Sequence, residues 1–290
     1  MRSHTLIVQN DKLPRVSLNT LLFSKVAINA LIVVIAILVV IPFAWVVLSS
    51  FKPRGEIFSP SSVWWPREFT LDNYQRLRDT PLITYAVNSA LATIIAILIN
   101  LPVGALAGFG FSRFHFRGRN LLLIILLISQ LLPAAIVVPL FLQLSALHLL
   151  NAPGALGVTY AGLTVPLIVL LLINFCYGIP RELDEAAAID GCTKFSMFWR
   201  IHLPLLRPGL AAAAIFIFIN TWQEFLLAIS LTTKADNYTL PVGLFAFQGQ
   251  FVTDWGGIMA MAVVIALPAV ILFAVLQNQF VSSLTGAVKG

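Results

Sequence analysis

Between Pro180 and Pro208 three carboxylates, Glu182, Asp184 and Glu185, fall where the first turn of a helix starting after Pro180 would lie, and negative charge there suits the helix dipole. Ala186, Ala187 and Ala188 follow and add no side-chain bulk. Gly191 interrupts that helix and permits a chain reversal that a Cβ would resist. A second amphipathic stretch then carries Phe195, Phe198 and Trp199 as apolar anchors until Pro204 and Pro208 end it. Such a helix, turn, helix presents a small, flat, acidic knob, a shape suited to insertion in a groove on another protein.

A second polar set lies in an apolar setting. Asn220, Gln223 and Glu224 share one face of a helix at three- and four-residue spacing, a row of donors and acceptors that suits hydroxyl-rich ligands. Glu224 stands beyond Gly209 by enough residues to place it roughly 22 Å up a helix, in the outer half of a bilayer. An ionisable group there is costly unless it faces protein or water. Two readings stand beside each other: a translocation path or outer gate, and a hydrogen bond between helices.

Other chemistries find little to work with. Cys176, Cys192 and the scattered His4, His115, His148 and His202 have no metal-ligand spacing. The chain has no Gly-Lys pair, so it lacks the phosphate-cradling loop that ends in Gly-Lys-Ser or Gly-Lys-Thr.

Both polar sets lie among membrane helices. Hydrophobic residues make up 59% of the 290 and charged residues 10%, far from the balance of a water-soluble domain. A hydrocarbon core about 30 Å thick needs roughly 20 apolar residues in helix. Six runs meet that need: 26–49, 85–111, 121–142, 155–178, 209–231 and 256–281, of which only the fifth carries a charged residue, Glu224. Pro42, Pro102, Pro133, Pro139, Pro166 and Pro268 fall inside them and mark expected kinks. The first run is too long for a signal-peptide core and reads as an uncleaved span.

With the N-terminus inside, twelve Lys and Arg fall on the inner side and six on the outer, which together are the 18 of the chain. The bias predicts both termini cytoplasmic and accounts for much of the net charge of +6, so no nucleic-acid footprint is read from it. The chain divides into a cytoplasmic segment 1–25, one six-span domain 26–281 with a cytoplasmic loop 179–207, and a cytoplasmic tail 282–290. On the outer side, 51–84 holds Trp64, Trp65 and a short helix that Thr70 or Asp72 caps, and 232–255 reads as a gate, a cap or a packed surface loop.

One spacing within this frame is specific. Glu185, Ala186 and Ala187, three residues ending at Asp190, then Gly191, nine residues, Ile201, one residue, Leu203 and Pro204 resemble the EAA motif of ABC importer permeases. The resemblance covers most of the chain and is closest to the carbohydrate permeases of the maltose and glycerol-phosphate type, in the smaller of the two maltose permease subunits. Ser50 to Pro53, Leu71 to Tyr74, Asn88 with Ser89, and Gly286 to Gly290 add to it.

This resemblance implies an all-α six-span permease in a bacterial or archaeal cytoplasmic membrane. Its 179–207 loop would be a coupling helix docked into a cytoplasmic ABC ATPase dimer, with Glu185 similar to a residue that pairs with a basic group there. The other implied partners are a second homologous permease, an extracytoplasmic solute-binding protein, membrane lipid, and a sugar or sugar-like substrate. ATP and Mg would be used by the ATPase, with no cofactor on this chain. The family commonly has Trp-Asn-Glu-Phe where this chain has Trp222, Gln223, Glu224 and Phe225, so Gln223 departs from the pattern. Two rival classes have thinner support: an ion-coupled transporter has only Glu224 to use, and a membrane-embedded enzyme lacks a nucleophile and base.

Overall fold

The computed structural model describes residues 18–57, 64–130, 136–249 and 253–287, with side chains between 27 and 275. Among the described residues the chain is helical, with one isolated bridge pairing Gln248 and Thr253. The helices are α1 (Leu18–Ser50), α2 (Asp72–Arg76), α3 (Leu82–Arg113), α4 (Arg119–Ile128), α5 (Val137–Ala146), α6 (Pro153–Tyr177), α7 (Glu182–Ile189), α8 (Lys194–Met197), α9 (Leu203–Leu205), α10 (Arg207–Trp222), α11 (Leu226–Leu231), α12 (Leu240–Gly243) and α13 (Trp255–Ala287).

α1, α3, α6 and α13 are each long and apolar enough to cross a bilayer, and Pro42, Pro102, Pro166 and Pro268 lie inside them without ending them. Outward-facing residues such as Leu38 on α1, Leu98 on α3 and Ile271 on α13 are apolar and bare of protein, which is the surface a helix offers to lipid or to another membrane subunit. α1 begins ahead of the expected residue 26, and α13 continues through Ala287 into the segment read as a tail.

The largest interhelix contact joins α3 to α6. Close approach is possible because glycines face the partner: a Cβ at Gly108 would lie 3.0 Å from the Leu172 backbone carbon, and one at Gly157 only 2.8 Å from the Ala92 carbonyl oxygen. Small residues at such a seam let two apolar helices gain dispersion contacts that lipid cannot match. Asn100 bridges the same seam by donating to Thr164 Oγ1 at 2.8 Å. Ala213 and Ile217 of α10, Leu227 and Ala228 of α11 and Val242 of α12 complete the main core around this pair.

Two of the expected spans are not single helices. The run 121–142 contains α4 and α5, each ten residues and so about 15 Å long, and the interval 131–135 with Pro133 lies outside the described residues. The run 209–231 is broken: α10 ends at Trp222, residues 223–225 are not helical, and α11 starts at Leu226.

Candidate functional site

The acidic knob forms as a compact elbow. α7 holds Glu182, Asp184 and Glu185 in its first turn, and beyond its last residue the Gly191 N–H donates to the Ala188 carbonyl while the Cys192 N–H donates to the Ala187 carbonyl at 2.9 Å. Gly191 has φ +76, so these paired bonds close a Schellman turn through a left-handed residue, as glycine allows. Thr193 then caps α8 by accepting from the Ser196 N–H.

α7 presents different residues to its two sides. Glu185, Ala186, Ala188 and Asp190 are exposed, and Ile189 stands 87% exposed at the tip. Ala187 is buried, so the smooth alanine surface is made by its two neighbours while Ala187 itself packs inward. In the second limb Phe195 and Trp199 remain exposed, whereas Phe198 is buried against Phe109 of α3. Ile201 and Leu203 are half-buried and Pro204 is exposed, with Leu203 packed on the Ala105, Phe109 and Phe198 cluster.

The second limb contains one turn of π-helix, Phe198–His202, followed by α9, and this limb meets α10 at 71°. Buried Leu206 fills the corner against Cys176 and Ile179.

Three residues that the sequence does not bring together meet behind the elbow. Asp184 Oδ2 lies 2.6 Å from Arg113 Nε, at the end of α3, and Asp184 Oδ1 lies 2.6 Å from His202 Nε2, in the π-turn. Arg113 also donates through Nη2 to the Ile179 carbonyl at 2.6 Å. The ring of Phe109 meets His202 edge-on with centroids 4.6 Å apart. Spacing hides this cluster: Asp184 reads as one more helix-start carboxylate and His202 as a histidine without a partner.

In the broken fifth span the three polar residues separate in role. Asn220 is exposed, and its amide donates to the Phe216 carbonyl one turn earlier. Gln223 is exposed at the end of α10. Glu224 turns its carboxylate onto the start of α11, accepting from the Leu227 N–H at 2.8 Å and the Ala228 N–H at 3.0 Å. The shared helical face expected of all three is therefore interrupted at Gln223, because a carboxylate that satisfies the free amides of a new helix stabilises the break. Neighbouring aromatics fix the ends: Trp222 donates to the Ile265 carbonyl of α13, and Phe225 stacks on Phe245.

Away from the elbow, the chain is pinned by the other motif residues. Asn73 donates to the Ser50 and Lys52 carbonyls at 2.7 and 2.8 Å, Ser50 and Tyr74 share a hydrogen bond, and Asp72 N–H donates to Thr70 Oγ1. Asn88 donates to the Asp236 and Tyr238 carbonyls, and Ser89 accepts from the Leu240 N–H. The segment read as a gate or cap is thus tied to the N-terminal end of α3, the end far from the elbow. Among the described residues no group of three or more His, Cys, Asp or Glu is arranged to hold a metal ion.

Residues 100–286 match the family described as binding-protein-dependent transport system inner membrane component. The chain is 35% identical to the diacetylchitobiose uptake system permease protein DasC of Streptomyces coelicolor, covering 93% of this chain and 99% of that protein. It is 36% identical to the sulfoquinovosyl glycerol transport system permease protein SmoH of Agrobacterium fabrum over 86% of this chain and 88% of that one. The trehalose/maltose transport system permease protein MalG of Thermococcus litoralis is 33% identical, with 89% and 94% covered. The fold is shared with a chain of a bacterial ABC transporter involved in alginate import, at TM-score 0.76 and 20% identity over 92% of this chain and 100% of that one.

Proposed function

Because this chain belongs to the binding-protein-dependent transport system inner membrane component family, we propose that it crosses the cytoplasmic membrane six times, with both termini inside, beside a second homologous permease. It is a permease subunit of an ABC importer for a sugar or sugar-like solute, and ATP is hydrolysed by a separate subunit. The two spans that do not form single long helices are α4 with α5, and α10 with α11; bare apolar surface on these segments suits lipid and the partner permease. The excess of Lys and Arg on the elbow side supports the orientation.

The elbow carries the reading. Its exposed Glu185, Asp190 and Ile189 stand on a turn that one left-handed glycine closes, and the groove that receives them belongs to a cytoplasmic ATPase dimer, which holds ATP and Mg. Ala187, Ile201 and Leu203 face inward and hold the elbow's shape, while Ala186 and Gly191 keep its outer surface low. Closure of the ATPases displaces the elbow and switches the path between outward and inward access, and a solute-binding protein outside delivers the sugar. Asn220 and Gln223, exposed at the end of α10, offer amide donors and acceptors to solute hydroxyls, and Glu224 holds the break that presents them.

Placement of the elbow is testable by protection. With Cys176 and Cys192 changed to Ser, an Ile189→Cys chain is expected to react with a water-soluble maleimide in the isolated permease and to be shielded in the assembled importer. Equal reactivity in both, at every stage of ATP turnover, rejects the docking.

A further inference from the structure

The buried cluster behind the elbow joins three separate elements. Asp184 comes from α7, His202 from the π-turn of the second limb, and Arg113 from the last turn of α3. Their side chains are 14%, 0% and 7% exposed, and both carboxylate oxygens of Asp184 are engaged at 2.6 Å. Asp184 and Ala187, one helical turn apart, face inward, whereas Glu185 and Ile189, also one turn apart, face out. A single short helix thus carries an outer docking side and an inner fastening side. The acidic Asp184 binds both limbs of the elbow to each other and to one long helix.

That helix is pinned at its other end as well. α3 is about 48 Å long. Near its outer end Asn88 and Ser89 hold the backbone of 236–240 by three hydrogen bonds. Between the two ends Asn100 braces α3 to α6.

Resting on the coupling reading above, we infer that Arg113, Asp184 and His202 are positioning residues that make the elbow and α3 move as one body, so that displacement of the elbow by the ATPase reaches the outer segment 235–247. The docking residues hold the engine, and this cluster transmits its stroke. Without the cluster the elbow still docks, but its movement is taken up by slack against α3.

The test uses the whole importer in proteoliposomes: this chain, its partner permease, the ATPase subunits and the binding protein. Asp184→Asn removes the charge that Arg113 and His202 share. His202→Leu removes the donor, whereas His202→Gln places an N–H near the Nε2 position and restores it. Three quantities are read: ATPase subunit retained on size exclusion, ATP hydrolysis stimulated by the loaded binding protein, and solute moved per ATP. Asp184→Asn and His202→Leu are expected to retain the ATPase and hydrolyse ATP while solute per ATP falls roughly tenfold, with His202→Gln recovering most of it. Unchanged solute per ATP in Asp184→Asn and His202→Leu overturns the inference and leaves docking intact. Loss of the ATPase subunit from those variants, or His202→Gln behaving as His202→Leu, also overturns it. An unsubstituted complex that moves solute without hydrolysing ATP sinks the coupling reading itself.

Discussion

Replacing Gly191 isolates backbone conformation from packing. The residue sits at φ +76, and a Cβ built on it meets nothing within 4 Å, so Gly191→Ala creates no clash and fills no cavity. What changes is the cost of the left-handed conformation, about 1–2 kcal/mol for a residue with a Cβ. If the turn opens to escape that cost, it gives up the bonds from Gly191 N–H to Ala188 and from Cys192 N–H to Ala187, at about 0.5–1.5 kcal/mol each. The cheaper route sets the effect: the ratio of docking-competent to opened elbow falls by a factor of about 5–30, and the apparent Kd for the ATPase subunit rises by up to that factor. The assay titrates labelled ATPase subunit onto permease pairs in nanodiscs. Gly191→Ala should weaken binding to that extent, Gly191→Val more, and Gly191→Asn least, since asparagine visits the left-handed region more readily. Binding by Gly191→Ala and Gly191→Val indistinguishable from the unsubstituted chain refutes the turn as the feature that shapes the docking knob.

Three further substitutions probe the frame. Gly157→Ala places a methyl 2.8 Å from the Ala92 carbonyl and should cost about 1–3 kcal/mol, seen as a lower melting temperature in detergent, while Gly162→Ala, with open space around it, should melt as the unsubstituted chain does. Asn73→Ala removes two hydrogen bonds to the Ser50 and Lys52 carbonyls and should destabilise by about 1–3 kcal/mol in the same melting assay. Glu224→Ala strips the cap from α11 and should lower sugar uptake in vesicles together with thermal stability, by about 0.5–2 kcal/mol. Glu224→Gln keeps an acceptor oxygen and should lie between; loss of uptake in Glu224→Gln at full stability would instead put the charge itself to work on the path.

The parts of the site that were legible in the sequence are those set by neighbours along the chain. Carboxylates at the start of α7 and a glycine at its end are local signals, because dipole, capping and the left-handed turn all act within one or two turns of helix. The break at Gln223 was not legible. The run 209–231 is apolar almost throughout, and hydropathy is blind to the direction in which Glu224 aims its carboxylate. The run 121–142 is ambiguous for the same reason, since composition fits one long helix as well as it fits two short ones.

Residue types and short-range spacing suffice to put this chain in a bilayer, to mark its apolar runs and to place the turn of the elbow, since each depends on composition or spacing within a short window. Which side chains fasten that elbow is set by packing between elements distant along the chain. Arg113 lies 66 residues before Ile179, whose carbonyl it holds, and Asp184 and His202 stand 18 residues apart. No local periodicity relates them; they meet because α3 packs on α6 through its glycines and the second limb folds back at Leu206, and burial then leaves the Asp184 carboxylate to be satisfied by Arg113 and His202.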